Sequence, residues 1–264
     1  MLIFDYSPCD FGCFIPTGPS DYYHFFLSPD KRTLKEFKNE LLILSSSHIK
    51  WWLLLPLVGM GSFVLLYLVA ANQYPGGSWA YPAQVGFSWR HNYLCDLLDT
   101  HAVNGVLNPG RYWARAALGI LCAGLLVLWV QLPRLMNKSY RLKTLMLLSG
   151  LAAFGATVFL SSGTHDLTVR IAGVFGSIAL LSALLGFLRN GHRGLCLFGC
   201  WCLGIFLLNY AIYETGGFLR ALPLIQKFTF TSFLAWFVWI DIALIRMYRR
   251  TVGNLAEENS INIS

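Results

Sequence analysis

The stretch WWLLLPLVGMGSFVLLYLVAA, residues 51–71, decides the fold class. It has 21 residues and no charge, and a helix needs about 20 apolar residues to cross the hydrocarbon core of a bilayer. Trp51 and Trp52 stand at its start, where aromatic side chains mark a membrane interface. Pro56 is tolerated in such a helix. The backbone carbonyl that loses its helical hydrogen bond at the proline can accept one from a neighbouring group instead. The stretch therefore predicts a transmembrane helix.

Five more apolar runs of similar length follow. They predict spans at about 114–132, 142–160, 167–188, 194–213 and 223–248. Only 12% of the residues are charged and the mean hydropathy is +0.54, whereas soluble proteins carry about 25% charged residues. We therefore predict an all-α polytopic membrane bundle of six transmembrane helices. The net charge of +7 does not indicate nucleic-acid binding, because no basic groove or reader motif is visible.

The predicted organisation has three parts. Residues 1–49 form a cytoplasmic tail, in which apolar residues at helical spacing predict a surface helix at 33–47. Residues 50–248 form the six-span domain, which includes a long outer connection at 72–112. Residues 249–264 form a polar, frayed C-terminal tail.

Positive charge predicts the orientation of the bundle. Fourteen of the 20 Lys and Arg residues lie on the side that holds both termini, and six lie on the other side. Cytoplasmic loops carry the excess of Lys and Arg. We therefore predict that both termini are cytoplasmic and that the outer connection faces away from the cytoplasm.

The outer connection contains an unusual polar run, FSWRHNYLCDLLDTHAVNGVLN, residues 87–108. Ionisable groups beside lipid are costly, so such a run is by default a functional hypothesis. The predicted topology places further polar residues on the same surface. The polar residues on this surface include three from the run itself, Asp96, Asp99 and His101. The others are His165, Asp166, Arg170, Tyr210, Tyr213, Glu214, Arg220, Gln226 and Lys227.

One interpretation is a lipid-modifying hydrolase or transferase. His101 and His165, with a carboxylate, are the right ligand types for a zinc site that keeps an open position. Without a metal, His165 would act as a general base oriented by a carboxylate. The candidate catalytic residues are Asp96, His101, His165 and Asp166, and the candidate metal ligands are His101, His165 and Glu214.

A second interpretation is a binding or structural role. Asp166 and Arg170 stand four residues apart on one helix and are expected to neutralise each other. Anionic lipid headgroups would instead be attracted to the outer arginines, which are Arg90, Arg111, Arg170 and Arg220.

A transporter or a haem electron carrier is the third interpretation. Haem ligation needs paired histidines at matching depth, and no histidine lies in the middle of a span. A transporter usually carries charge near the membrane midplane. Asp241 lies toward the cytoplasmic end of the sixth span. One interpretation is a buried carboxylate, but we expect it instead to pair with Arg246 or a neighbouring loop base, or to reach water.

Several segments resemble the domain-of-unknown-function 998 family. These are SWRHNYLCDLLDT, VLNPGRYWARAALGILCAGLLVLW, THDLTVRIAGVFGSIALL and LPLIQKFTFTSFLAWFVWI, in which the residues that match the family pattern are Asn92, Tyr93, Asp96, Leu97, Asn108 and Gly119. Cys95 and Leu98 depart from it, since the family has Ser and Gly there. The resemblance covers about residues 51–248.

This resemblance implies a six-span membrane protein of bacteria or archaea, and so a multi-pass protein of the bacterial inner membrane. The family is similar in architecture to the Frag/DRAM/Sfk proteins, one branch of which is implicated in lipid remodelling. We therefore expect an outer polar site that engages lipid headgroups, with membrane lipids as partners. Cofactor and oligomeric state are left open. The expected ligand-binding residues are Asn92, Tyr93, Arg170, Gln226 and Lys227.

Overall fold

Six α-helices follow one another along the chain. The structure is a computed structural model that describes residues 31–136, 140–157 and 165–261, with side chains described for 51–136, 140–156 and 167–254. The described residues contain no strand, and two isolated β-bridges are their only extended pairing. The helices are α1 Lys31–Asn72, α2 Arg111–Gln131, α3 Tyr140–Thr157, α4 His165–Arg189, α5 Arg193–Thr215 and α6 Leu222–Ile261.

Five helical segments within the described residues are long and apolar enough to cross a membrane. They are Trp51–Asn72, Arg111–Leu135, Leu167–Arg189, Arg193–Thr215 and Leu222–Asn254. The all-α class is therefore confirmed for the described residues, and the five apolar helices agree with the multi-pass membrane character predicted from the sequence. Helix α3 occupies the place of the remaining predicted span, the third in chain order, 142–160, whose last residues lie outside the described part.

Two helices extend beyond the predicted spans. The chain divides into two compact units, residues 1–48 and 49–264, and the contacts described below belong to the second. The predicted surface helix at 33–47 falls within α1, which begins at Lys31. Helix α6 continues to Ile261, because Leu, Ala and Glu in this polar end are good helix formers.

Small residues allow the helices to approach closely. The indole of Trp129 on α2 lies directly over Gly150 on α3, and its Nε1 donates to the Met146 carbonyl at 3.0 Å. On the other side of the bundle, Trp236 of α6 is fully buried and its Nε1 donates to the Leu195 carbonyl of α5 at 2.8 Å. Each tryptophan thus fills a gap between two helices and satisfies its own donor.

One carboxylate lies inside the bundle on α6. Asp241 is fully buried, and neither of its oxygens has a hydrogen-bond partner among the described residues. The predicted pairing with Arg246, or extension to water, is therefore wrong, because the side chain has neither a described partner nor an exposed surface. A polar group buried in this way lowers stability.

We expect Asp241→Leu to raise the free energy of unfolding by about 1–3 kcal/mol, because leucine has the same branching and needs no hydrogen bond. The measurement is the thermal unfolding midpoint of the purified protein in detergent. Asp241→Asn is the matched control and should bring little gain, since the amide is also left unpartnered. A lower midpoint for the leucine variant alone would contradict this account.

Candidate functional site

The connection between α1 and α2, residues 73–110, folds into a compact unit that we call the cap. Asn92 is fully buried at its centre. Its Nδ2 donates to the Gly77 carbonyl at 2.7 Å and to Asp96 Oδ2 at 2.8 Å. Its Oδ1 accepts from Gln84 Nε2 and from the Ser88 backbone N–H, both at 2.9 Å. One side chain therefore joins four separate points of an irregular segment.

A second buried asparagine attaches the cap to the start of α2. Asn108 Nδ2 donates to the Leu97 and Asp99 carbonyls, both at 3.1 Å. Arg115, on the first turns of α2, donates from Nε to the Leu98 carbonyl at 2.9 Å. These bonds satisfy carbonyls around the short 3₁₀ turn Cys95–Leu97 that no sheet or long helix could satisfy.

Helix α6 holds the cap from the other side. The Leu94 backbone N–H donates to Gln226 Oε1 at 2.9 Å. Lys227 Nζ donates to the Asn92 carbonyl, and also to the Pro223 carbonyl on its own helix. The cap is thus fixed to the bundle through the first turns of α6.

Asp96 is the partly buried carboxylate of this arrangement. Its Oδ2 accepts from Asn92 and, at 2.9 Å, from the Tyr93 backbone N–H. Burial raises the pKa of the Asp96 carboxyl above its ordinary value, although these two bonds act in the opposite direction. Burial likewise raises the pKa of the neighbouring Cys95 thiol to about 11, so Cys95 is not a reactive thiolate at neutral pH.

A chamber of about 1000 Å³ opens beneath the cap, between the cap and helices α4, α5 and α6. Across its mouth, Arg170 of α4 and Glu214 of α5 form an ion pair at 3.0 Å. The side chains that give the chamber its chemical character are charged or aromatic: Asp96, Asp99, Arg170, Glu214, Trp79, Tyr93, Tyr210 and Tyr213.

An apolar crevice of about 480 Å³ lies next to the chamber, among helices α2 to α6. Most of its lining residues are glycine, alanine, phenylalanine and tryptophan. Gly176 of α4 lies against Ala153 of α3, a contact of small residues that lets the two helices approach closely. Five residues line both spaces, which are therefore adjacent: Val169, Gly173, Phe206, Asn209 and Gln226.

The structure brings several predicted site residues together. Asp96, Tyr93, Arg170, Glu214 and Gln226 line the chamber. Asn92 and Lys227 do not line it, but they support its roof through the bonds described above. Arg170 pairs with Glu214, and the predicted pair of Arg170 with Asp166 stays a prediction, because the Asp166 side chain lies outside the described residues.

The remaining candidates fall elsewhere. His101 is exposed, pairs in an isolated bridge with Leu107, and does not line the chamber. His165 and Asp166 begin α4, and their side chains lie outside the described residues. Within the described part of the chain, no three His, Cys, Asp or Glu side chains are grouped as metal ligands would be.

The outer arginines also differ in their surroundings. Arg111 donates from Nη1 to the Asn108 carbonyl at 2.7 Å and lies over the Tyr112 ring. Arg90 and Arg220 are exposed away from the chamber lining. Of the four predicted headgroup-binding arginines, Arg170 is the one placed in the chamber.

Of the five residues that line both chamber and crevice, Gln226 was identified from the sequence and the other four were missed. Asn209 lies inside the apolar helix α5, and its Nδ2 donates to Thr229 Oγ1 of α6 at 3.4 Å. A lone amide within a span was the available signal, since polar side chains in membrane helices usually bond across to a neighbour. Gly173 and Phe206 carried no comparable signal.

Comparison of the chain with protein-family models, with curated proteins and with solved structures gives no significant match.

Proposed function

We propose that this integral membrane protein binds a membrane lipid, with the headgroup in the chamber and a hydrocarbon chain in the crevice. The observation that carries the proposal is that a polar chamber and an apolar crevice lie side by side and share five lining residues. A lipid likewise has a polar headgroup at one end and apolar chains at the other. Both volumes are of the size found in small-molecule sites, about 300–1,000 Å³.

Polar side chains at the boundary between the two spaces could bind the ester region, where a lipid headgroup joins its chains. Asn209 and Gln226 are the polar residues there, and both carry amides that can donate to an ester carbonyl. Deeper in the crevice, the walls offer rings and small side chains. Burial of a hydrocarbon chain against such walls is not itself favoured over bilayer lipid, so the polar contacts decide whether a lipid stays bound.

The topology that we propose has six spans, with both termini in the cytoplasm and the chamber on the outer side. The charge bias supports this orientation, and α3 supports a sixth span. Membership of the domain-of-unknown-function 998 family and a location in the bacterial inner membrane are further proposals, which rest on the resemblance alone. A terminal tag that proved accessible from outside intact cells would rule out the topology.

The test of lipid binding blocks the passage between chamber and crevice. In Gly173→Leu the new side chain would meet the Phe206 ring, since even a Cβ at this position lies 3.6 Å from Cζ. We expect at least a tenfold loss of co-purifying lipid, measured by native mass spectrometry after mild delipidation and re-addition. The leucine fills the junction, so the chain can no longer enter.

Gly204→Leu on α5 is the matched control, because Gly204 is exposed and a Cβ there meets nothing within 4 Å. It should retain lipid as the wild type does. Equal retention by wild type and Gly173→Leu would show that the crevice is not a lipid site.

Lipid modification is the second candidate function. It is favoured by Asp96, a carboxyl of raised pKa that lines the chamber, since a general acid needs such a shift. The predicted roles of His101, His165 and Asp166 in this chemistry stay predictions. Turnover of a bound phospholipid by wild type but not by Asp96→Asn would support it, and unchanged lipid in both would rule it out.

A further inference from the structure

The charges of the chamber point to one class of headgroup. Among its lining residues in the described part of the chain, three are acidic, Asp96, Asp99 and Glu214, and one is basic, Arg170. Lys227 lies close by, yet its Nζ points to the carbonyls of Asn92 and Pro223 and it is not part of the lining. Acidic side chains therefore outnumber basic ones in the described lining.

An anionic lipid fits this lining poorly. Arg170 can contact its phosphate, but Arg170 also shares its charge with Glu214 at 3.0 Å, so nothing else in the described lining offsets the added negative charge. A headgroup with negative charge alone would place that charge among carboxylates, and like charges at such distances repel. The chamber thus disfavours the anionic headgroups that the outer arginines suggested from the sequence.

The aromatic lining favours a cation. Five rings line the chamber, those of Trp79, Tyr93, Phe206, Tyr210 and Tyr213. The face of an aromatic ring attracts an ammonium group, and rings grouped around a cavity are how proteins bind quaternary ammonium ligands. Carboxylates beside such rings add direct attraction for the same charge.

Arg170 adds a positively charged group to the site. More than half of its side chain, 56%, is exposed although it pairs with Glu214, so its guanidinium has donors left for a phosphate. A lipid that carries an ammonium and a phosphate would place opposite charges beside the acidic residues and beside Arg170.

We infer that the chamber selects lipids with a zwitterionic headgroup, in which an ammonium group sits among Asp99, Glu214 and the tyrosine rings while the phosphate faces Arg170. This inference rests on the proposed function, because it assumes that the lipid's chain occupies the crevice.

The experiment offers the purified, delipidated protein an equimolar mixture of phosphatidylcholine, phosphatidylethanolamine, phosphatidylglycerol and phosphatidic acid with identical chains. Native mass spectrometry counts the bound species. We expect the two zwitterionic lipids to be retained at least tenfold over the two anionic ones, which corresponds to about 1.4 kcal/mol.

Two pairs of variants test the assigned groups. Glu214→Gln releases Arg170 from its partner and removes one carboxylate, so the zwitterionic preference should fall to less than threefold, whereas Glu214→Asp should keep most of it. Tyr210→Leu should weaken binding of phosphatidylcholine severalfold, whereas Tyr210→Phe keeps the ring and should bind as the wild type does. Thermal unfolding of each variant checks that the fold is intact.

The outcomes separate the two proposals. Equal retention of all four lipids, or a preference for the anionic ones that Gly173→Leu abolishes, would overturn the headgroup inference and leave lipid binding standing. Failure of every lipid to bind, or binding that Gly173→Leu does not affect, would overturn the proposed function itself.

Discussion

Replacing Asn92 by leucine is expected to unfold the cap, with a loss of about 3–5 kcal/mol in its stability. The substitution removes four hydrogen bonds at once, those to Gly77, Asp96, Gln84 and Ser88. A buried donor or acceptor left without a partner costs about 1–3 kcal/mol. The destabilisation is smaller than the sum for four groups, because two partners keep another hydrogen bond. Gln84 also donates to Gly86, and Asp96 also accepts from Tyr93.

The loss should be local to the cap. Segments of one protein open with different free energies, and the core of the bundle rests on helix packing that does not involve Asn92. Hydrogen–deuterium exchange should therefore accelerate at about residues 76–108 in Asn92→Leu, while α2 and α6 stay protected. Lipid retention should fall together with cap protection, because Trp79, Tyr93 and Asp96 line the chamber from the cap.

Asn104→Ala is the matched control. Asn104 is an exposed asparagine of the same cap, and its Oδ1 accepts one bond, from the Val106 backbone N–H at 3.1 Å. Its loss should cost less than about 1 kcal/mol. If the Asn92 and Asn104 variants exchanged at the same rate, the central role of Asn92 would be refuted.

Gly77 illustrates why the cap needs Asn92. Its φ of 83° lies in the left-handed region, and a Cβ there would come within 2.5 Å of the Asn104 backbone nitrogen. Only glycine allows this approach at low cost. The asparagine then binds the carbonyl that the close turn exposes, so the turn and the side chain depend on each other.

The membrane helices could be predicted because their signal is local. An apolar run long enough to cross a bilayer is visible without any knowledge of its neighbours, and the structure has helices at all six predicted spans. The helix ends were less predictable. Nothing in the hydropathy of α6 marks its continuation to Ile261, which follows from helix propensity instead.

The site could be predicted in part, and the failures have a common cause. Asn92, Asp96, Gln226 and Lys227 were singled out by a resemblance, and the structure places them in contact or near contact. Charge pairing depends on which helices are neighbours. Arg170 therefore meets Glu214, 44 residues away.

Void space is the least predictable feature. The crevice exists because small residues of α3 and α4 face large rings of α5 and α6 without filling the gap between them. Neither the glycines nor the rings are unusual as a sequence pattern, since both occur in well-packed membrane bundles. Only the arrangement of all four helices distinguishes a packed interface from a cavity.

The largest loss of stability is expected for Gly150→Leu, because Gly150 lies where α2 and α3 pack closely. Even a Cβ at this position would come within 2.0 Å of Trp129 Nε1 and 2.5 Å of Cε2. The ring cannot move aside freely, because it is 5% exposed and is held by its bond to the Met146 carbonyl. Helices α2 and α3 must therefore separate, at a cost of about 3 kcal/mol or more, since overpacking a filled core costs about 1–3 kcal/mol even for an added methylene.

Gly155→Leu is the matched control, which separates the effect of packing from the effect of added hydrophobicity. Gly155 lies on the same helix, is exposed, and a Cβ there meets nothing within 4 Å. Both substitutions raise helix propensity and hydrophobicity equally, so neither should impair insertion into the membrane. The thermal midpoint in detergent should fall sharply for Gly150→Leu and stay level or rise for Gly155→Leu. A fall of equal size in both would mean that hydrophobic content, and not contact with Trp129, governs the stability of α3.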